Sequence, residues 1–171
     1  MARMREARRG YPAGAVSLVL LTVLDQVTKY YAVRYLKGRA GISVIPGVFE
    51  LFYLENRGAA FGMLENRQWV FIMIALAMLA AAVYVYLFLP GERHFHGIRF
   101  CMVLIGAGAV GNMIDRLARR YVVDFLYVSL IDFPVFNVAD CYVVVGAALL
   151  ILLIFTVYRN DSFACLDPRK E

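Results

Sequence analysis

The sequence is poor in the residue types that bind metals or form cross-links. Among 171 residues there are 3 cysteines and 2 histidines. Cys101, Cys141 and Cys165 are scattered without a Cys-x-x-Cys pair, and His94 and His96 lie apart from them. This spacing predicts free thiols and no metal or other cofactor. It also disfavours a cysteine or serine nucleophile, because no histidine is expected at the depth of Cys141.

Charged residues are scarce as well. They make up 18% of the chain, whereas hydrophobic residues make up 62% and the mean hydropathy is +0.67. A soluble domain would be only about half apolar. The net charge of +5 does not indicate a nucleic-acid-binding protein, because no basic face is interleaved with stacking aromatic residues. The composition therefore favours a membrane protein.

Long apolar stretches define the expected architecture. Residues 14–35, 68–89, 98–117 and 137–158 are each long enough to cross a bilayer and too continuous for barrel strands. We predict an all-α membrane protein, a single domain of residues 1–171 with four transmembrane helices. Pro46-Gly47 and the β-favouring residues after it predict short strands within residues 38–67, forming a small outer β-cradle. A short connector precedes the last helix.

The orientation follows from positive charge at the start of the chain. Arginines stand at positions 3, 5, 8 and 9, just before the first span. The positive-inside tendency places the N-terminus in the cytoplasm, and four spans return the C-terminus to the same side. Asp25 and Lys29 interrupt the first apolar stretch, so we expect a retained helix and not a cleaved leader.

Polar residues from distant parts of the chain fall at one depth, toward the outer face. These residues are Asp25, Lys29, Asn56, Asn112, Arg116, Asp124, Asn137 and Asp140. The inner halves of the helices carry almost no charge. A transport path would need polar groups that continue to the other face. The pattern therefore indicates a site open to one side of the membrane.

Two aspartates are the leading catalytic candidates. Asp124 and Asp140 are 16 positions apart in apolar surroundings, where an ionised carboxylate is costly and usually functional. Two carboxylates that meet would share one proton and supply one base and one acid, which is the arrangement of an aspartic peptidase. The alternative is separate capping, since Asp140 near a helix start is favourable in any case.

The supporting polar residues allow two interpretations. Asp25 and Lys29 are spaced i, i+4 on one helix face, either as a structural ion pair or as support for a substrate site. Asn112 and Arg116 share a face of the third helix, and we expect Arg116 to pair with a carboxylate because a bare guanidinium in lipid is costly. Asp115 lies on the same polar face, with a helix-end ionic cap as the alternative interpretation.

Five blocks of sequence carry a family resemblance. They are Asp25-Gln26-Val27-Thr28-Lys29, Asn56-Arg57-Gly58-Ala59-Ala60-Phe61, Gly108-Ala109-Val110-Gly111-Asn112-Met113-Ile114-Asp115-Arg116, Val122-Val123-Asp124-Phe125 and Phe136-Asn137-Val138-Ala139-Asp140. In this order they resemble the lipoprotein signal peptidase (signal peptidase II) family over nearly the whole chain. Ala107 departs from the glycine often found there.

The resemblance implies an activity and its partners. It implies an aspartyl dyad of Asp124 and Asp140 that removes the signal peptide of a bacterial prolipoprotein, just before a cysteine carrying diacylglycerol. It also implies a monomer in contact with lipid in the bacterial cytoplasmic (inner) membrane, an active site toward the extracytoplasmic face, and inhibition by globomycin. Substrate-binding or site-supporting roles are expected for Asn56, Gly58, Asn112, Arg116, Asn137, Asp25 and Lys29.

Two other functions are compatible with the composition. A proton-coupled small membrane transporter predicts polar residues on the inner half, which the sequence lacks. A non-catalytic membrane helper predicts that Asp140→Asn leaves precursor cleavage unchanged.

Overall fold

The computed structural model describes residues 2–58, 67–90 and 92–158, with side chains from residue 11 onward. The helices are α1 (Ala2–Leu36), α2 (Gln68–Phe88), α3 (His96–Arg119) and α4 (Val138–Thr156), and the strands are β1 (Ile42–Ile45), β2 (Phe49–Asn56) and β3 (Val122–Tyr127). The Ala59-Ala60-Phe61 segment of the predicted cradle, and Cys165 in the tail, lie outside the described residues. Apart from α1, which begins at Ala2, the helix ends differ from the predicted stretches by at most two residues.

Three of the four described helices pack around the fourth, α3. Each is long and apolar enough to cross a membrane. Helix α3 packs against the other three and is the most buried, whereas α2 and α4 leave most of their apolar surface exposed. Side chains that face lipid are as apolar as those of a core, because no water is present to favour polar ones. The prediction of four membrane helices with a small β-sheet is confirmed.

Small residues on α3 let its neighbours approach closely. A Cβ atom at Gly108 would collide with the backbone carbonyl of Ala139 and with Val143 on α4. A Cβ atom at Gly111 would lie 2.5 Å from Oδ2 of Asp25 on α1. These glycines therefore bring α1 and α4 together on α3 at one depth, as expected for small residues between membrane helices.

We expect Gly111→Ala to lower the free energy of unfolding by about 1–3 kcal/mol, because overpacking here displaces a buried, hydrogen-bonded carboxylate. The matched control is Gly106→Ala on the same helix. Its new methyl group would meet only the side-chain ends of Leu18 and Leu79, at 3.2 and 3.6 Å. Thermal unfolding in detergent measures both variants. Equal melting temperatures for the two would contradict this packing argument.

The sheet contains a strand that the sequence analysis did not predict. Its order is β1-β2-β3, with both pairings antiparallel. The predicted connector before the last helix contains β3, which pairs along β2 with Leu54 opposite Asp124 and Asn56 opposite Val122. Asp124 therefore lies on a strand whose position is set by the cradle, and not on a free loop.

A hydrophobic cluster fixes this sheet to the bundle. Ala32 and Leu36, at the end of α1, are buried against Val123 and Phe125 of β3. Alternate residues of a strand face opposite sides, so Asp124 points away from this cluster. The burial of its neighbours thus positions the Asp124 carboxylate.

Candidate active site

The predicted polar residues meet at the end of the bundle that carries the sheet. Asp25, Lys29, Asp124 and Asn137 are all buried, each at most 1% exposed, and Asn112 and Asp140 are half-buried. They come from α1, α3, β3 and α4. Buried polar groups are stable only when they are hydrogen-bonded, so the contacts among them define the site.

Asp140 is held by the start of its own helix. The side chain of Asn137 accepts a hydrogen bond from the Asp140 backbone N–H at 3.0 Å, and Oδ2 of Asp140 accepts one from the Asn137 N–H at 3.1 Å. This reciprocal capping box satisfies two N–H groups that a helix start leaves free. The other oxygen, Oδ1, accepts from Nδ2 of Asn112 at 2.7 Å. Both carboxylate oxygens are thereby oriented.

Asp124 accepts hydrogen bonds from two asparagine amides. Nδ2 of Asn137 donates to Oδ1 at 2.6 Å, and Nδ2 of Asn56 donates to Oδ2 at 2.8 Å. The Gly58 N–H in turn donates to Oδ1 of Asn56 at 3.1 Å and orients that amide. Burial, and then repulsion from Asp140, raise the pKa of Asp124 to about 7. This carboxyl can therefore carry a proton at neutral pH.

Asn137 joins the two aspartates. Its side-chain Nδ2 donates to the Asp124 carboxylate, its side-chain Oδ1 accepts from the Asp140 backbone N–H, and its backbone N–H donates to the Asp140 carboxylate. Two carboxyl groups thus contact one residue, Asp124 through its side-chain amide and Asp140 through its backbone N–H, and the charge of Asp140 helps to raise the pKa of Asp124 to about 7. Such a pair can provide a base and an acid at once.

Asp25, Lys29 and Asp115 form a second cluster, which is fully buried and adjoins the two aspartates. Nζ of Lys29 lies 2.9 Å from Asp25 Oδ2 and 3.1 Å from Asp115 Oδ2. The other oxygen of Asp25 accepts from the Ala139 N–H at 2.9 Å, and Asp115 Oδ2 accepts from the Val123 N–H at 3.1 Å. Each carboxylate thus holds the backbone of the residue immediately before a candidate catalytic aspartate.

Sequence reasoning missed the role of Asp115. Its side chain is buried, with Oδ2 3.1 Å from Lys29 Nζ, so the alternative of a helix-end cap does not describe it. The spacing from Asn112 predicts the shared helix face, but it does not predict the partner on α1. Asp25 and Lys29 form a buried structural ion pair. Lys29 Nζ also donates to Asn112 at 2.9 Å, so the pair is connected to the site, and the two interpretations do not exclude each other.

Arg116 differs from its expectation. Its guanidinium lies 4.7 Å from the ring centre of Phe71 on α2, and in the part of the chain that the structure describes it forms no ion pair. Its Nε–H is buried without a hydrogen-bond partner there. The aromatic face attracts the cation directly, and Asp140, Asp124 and Asp115 interact with it electrostatically without forming an ion pair among the described residues. One donor of Arg116 remains available to a ligand.

Metal binding finds no support at this site. Among the described residues, no group of three His, Cys, Asp or Glu side chains could hold a metal ion. The acidic side chains of the site are instead engaged by asparagine amides, backbone N–H groups and Lys29. The absence of a cofactor stays a prediction.

We expect the proton on Asp124 to limit activity at high pH. With a pKa of about 7, Asp124 loses its proton as the pH rises through neutrality, so turnover that requires a protonated partner falls above that pH. In Asn56→Ala the ionised form of Asp124 loses the hydrogen bond from Asn56, which raises the pKa of Asp124 further. The alkaline limb of kcat/KM should move up by about one pH unit.

The matched control for this shift is Glu55→Gln, on the same strand. The Glu55 side chain bonds to Lys37 at 2.7 Å and to Arg57 at 3.3 Å, and not to the aspartates. Its alkaline limb should stay in place. A profile of kcat/KM from about pH 5 to 10 measures both variants. An unmoved limb in Asn56→Ala would contradict the assignment.

Fold and site together define the class: a multi-pass membrane peptidase of the aspartic type. A family model described as "Signal peptidase (SPase) II" matches residues 17–156, which include every described site residue. The chain belongs to the signal peptidase II family. The resemblance drawn from five sequence blocks is thereby confirmed, and with it the multi-pass bacterial membrane protein.

Similar proteins agree with this assignment. A "Lipoprotein signal peptidase" from Streptococcus pyogenes serotype M5 (strain Manfredo) is 38% identical over 149 residues, covering 86% of this chain and 94% of the relative. The same figures hold for the protein from serotype M18 (strain MGAS8232).

Solved structures share the fold. One is described as "Bacterial membrane enzyme structure by the in meso method at 2.3 A resolution". It aligns with a TM-score of 0.77 at 31% identity and covers 87% of this chain and 91% of that chain. A second, at 1.9 Å, gives a TM-score of 0.74 at 31% identity and covers 85% and 94%.

Proposed function

We propose that this enzyme removes signal peptides from bacterial prolipoproteins, cutting just before a cysteine that carries diacylglycerol, with Asp124 and Asp140 as its catalytic pair. The observation that carries the proposal is the shared contact of both carboxyl groups with Asn137. Family membership supplies the substrate class. The transporter and helper alternatives are set aside, because a peptidase family covers most of the chain.

The chemistry needs one proton on the pair. The ionised carboxylate takes a proton from water, and the resulting hydroxide attacks the scissile carbonyl carbon. The protonated carboxyl passes its proton to the carbonyl oxygen. When the C–N bond breaks, the amine nitrogen takes the proton held by the first carboxyl, and the diol returns one to the second. Both groups end as they began, and acid–base assistance of this kind supplies about 10²- to 10⁴-fold.

The surrounding amides and Arg116 are proposed to hold the peptide. Asn112 and Asn137 fix the carboxyl groups, and Asn56 and Gly58 lie at the end of the cradle beside them. The buried Nε–H of Arg116, which has no partner among the described residues, suits a substrate carbonyl oxygen. A donor already desolvated gains most from such a bond, because the cost of leaving it unpaired is removed.

The membrane setting accounts for a lipid-linked substrate. The exposed apolar surfaces of α2 and α4 would face acyl chains, and the site lies at the sheet end of the bundle. A diacylated cysteine can keep its chains in lipid while the peptide reaches the aspartates. We further propose that both termini are cytoplasmic, that the site faces the extracytoplasmic side, and that a monomer suffices.

The proposal is tested with purified protein and two precursors that differ only in lipidation. Cleavage of the diacylated precursor alone, at the bond before its cysteine, is expected, and globomycin should block it. Equal cleavage of the unlipidated twin would refute the substrate assignment. No cleavage of either precursor by folded protein would refute the activity.

A further inference from the structure

Lys29 uses its whole donor capacity inside the protein. Its side chain is 0% exposed, and an ammonium group has three donors. They go to Asp25 Oδ2 at 2.9 Å, Asp115 Oδ2 at 3.1 Å and Asn112 Oδ1 at 2.9 Å. The first two contacts neutralise buried charge. The third ends on a neutral amide that touches Asp140.

That third contact decides which way the Asn112 amide faces. A cation repels an NH2 group, so only the oxygen can lie toward Lys29, and Nδ2 must then point at Asp140, where it donates at 2.7 Å. Asn137 Nδ2 also donates to Asn112 Oδ1, at 3.2 Å. Donors on the oxygen polarise the amide and strengthen its N–H as a donor.

The two aspartates are therefore supported differently. Asp140 receives its side-chain hydrogen bond from an amide that is in contact with a cation. Asp124 receives its bonds from Asn56, whose oxygen accepts only the Gly58 N–H among the described residues, and from Asn137. An amide polarised by a cation is a stronger donor than an amide without one, and a stronger donor favours the ionised form of its acceptor more.

We propose that Lys29 is a positioning residue that acts through Asn112 to hold Asp140 as the ionised member of the pair, the base that takes the proton from water. Asp124 then keeps the shared proton. Lys29 itself does not touch the reacting atoms. The inference rests on the proposed function, because it assigns roles within that catalytic pair.

Other charged groups near Asp140 do not account for this assignment. The titratable groups that interact electrostatically with it are Arg116 from α3, Asp124 from β3 and Cys141 from its own helix, whereas Asp25 and Asp115 form ion pairs with Lys29. Arg116 interacts electrostatically with both aspartates, so it does not distinguish them. Asn56, from β2, is uncharged. Lys29 also interacts electrostatically with Asp124 through space, but its hydrogen-bonded contact through Asn112 Nδ2 ends on Asp140.

The test replaces the cation and records the pH dependence. Lys29→Gln keeps an amide donor but loses the charge, and Lys29→Met loses both. We expect kcat to fall about 10- to 100-fold with KM changed less than about threefold, as for a group that acts in the transition state. The acidic limb of kcat/KM should move to higher pH by about one unit, because the ionised Asp140 is less stabilised.

Asp115→Asn separates this role from simple charge neutralisation. It removes one carboxylate from Lys29 but leaves the contact with Asn112. We expect lower thermal stability without an upward shift of the acidic limb. Should Lys29→Met not fold, Lys29→Gln carries the test. An acidic limb at the wild-type pH in folded Lys29→Gln would overturn the inference.

The outcomes separate this inference from the proposed function. A wild-type enzyme that does not cleave the lipidated precursor, or an Asp140→Asn variant that does, would overturn the function itself. The role of Lys29 alone would be overturned if the wild type is active, Asp140→Asn is inactive, and the acidic limb of kcat/KM in Lys29→Gln stays at the wild-type pH.

Discussion

Asp140→Asn is expected to lower turnover of a diacylated precursor by about 10⁴-fold, at the upper end of what acid–base groups supply. An amide can replace the carboxylate in shape and can still accept the Asn137 N–H, so the capping box and the fold should persist. What is lost is the capacity to take a proton. Asp124→Asn is expected to lower turnover to a similar extent, because Asp140 then has no protonated carboxyl beside it to act as the acid.

Asp132→Asn is the matched control for these variants. Asp132 lies on the same connector, exposed, and accepts a hydrogen bond from the Tyr127 hydroxyl at 2.7 Å. Its φ of +50° suits asparagine as well as aspartate. Cleavage should stay at the wild-type rate. Single-turnover measurements on purified, folded variants provide the comparison, and substantial cleavage by either Asp124→Asn or Asp140→Asn would refute the catalytic pair.

Asn137→Ser is expected to leave the helix stable while lowering kcat about 10- to 100-fold. Serine is among the best residues for starting a helix, so α4 keeps its cap. Serine cannot place an amide N–H against Asp124 while its oxygen caps the helix, and therefore the link between the aspartates is broken. The size of the effect follows because Asp124 Oδ1, which is buried, loses the hydrogen bond that orients this carboxyl.

Asn137→Ala separates capping from catalysis. It loses the same amide and also the cap, so its free energy of unfolding should fall by a further ~1 kcal/mol relative to Asn137→Ser. Its kcat should be close to that of Asn137→Ser. Thermal unfolding and initial rates in the same detergent measure the two properties. Full activity of Asn137→Ser would show that the amide does not join the pair.

The sequence predicted those structural elements that are determined within a single segment of the chain. Each helix is an apolar stretch of membrane-spanning length, so its place could be read along the chain without knowledge of its neighbours. The start of α4 is equally local, because Asn137 and Asp140 cap one turn from within three residues. The two aspartates were recognisable for a related reason: a carboxyl group in apolar surroundings is costly wherever it lies.

The three-dimensional contacts were decided only by the fold. Asn56 and Asp124 are 68 residues apart, and their hydrogen bond depends on the pairing of β2 with β3, which has no local signature. The contacts of Asp115 with Lys29 and of Arg116 with Phe71 likewise depend on which helices pack together. Residue types and helix lengths are properties of single segments, whereas the direction of a hydrogen bond depends on two segments that meet only after folding.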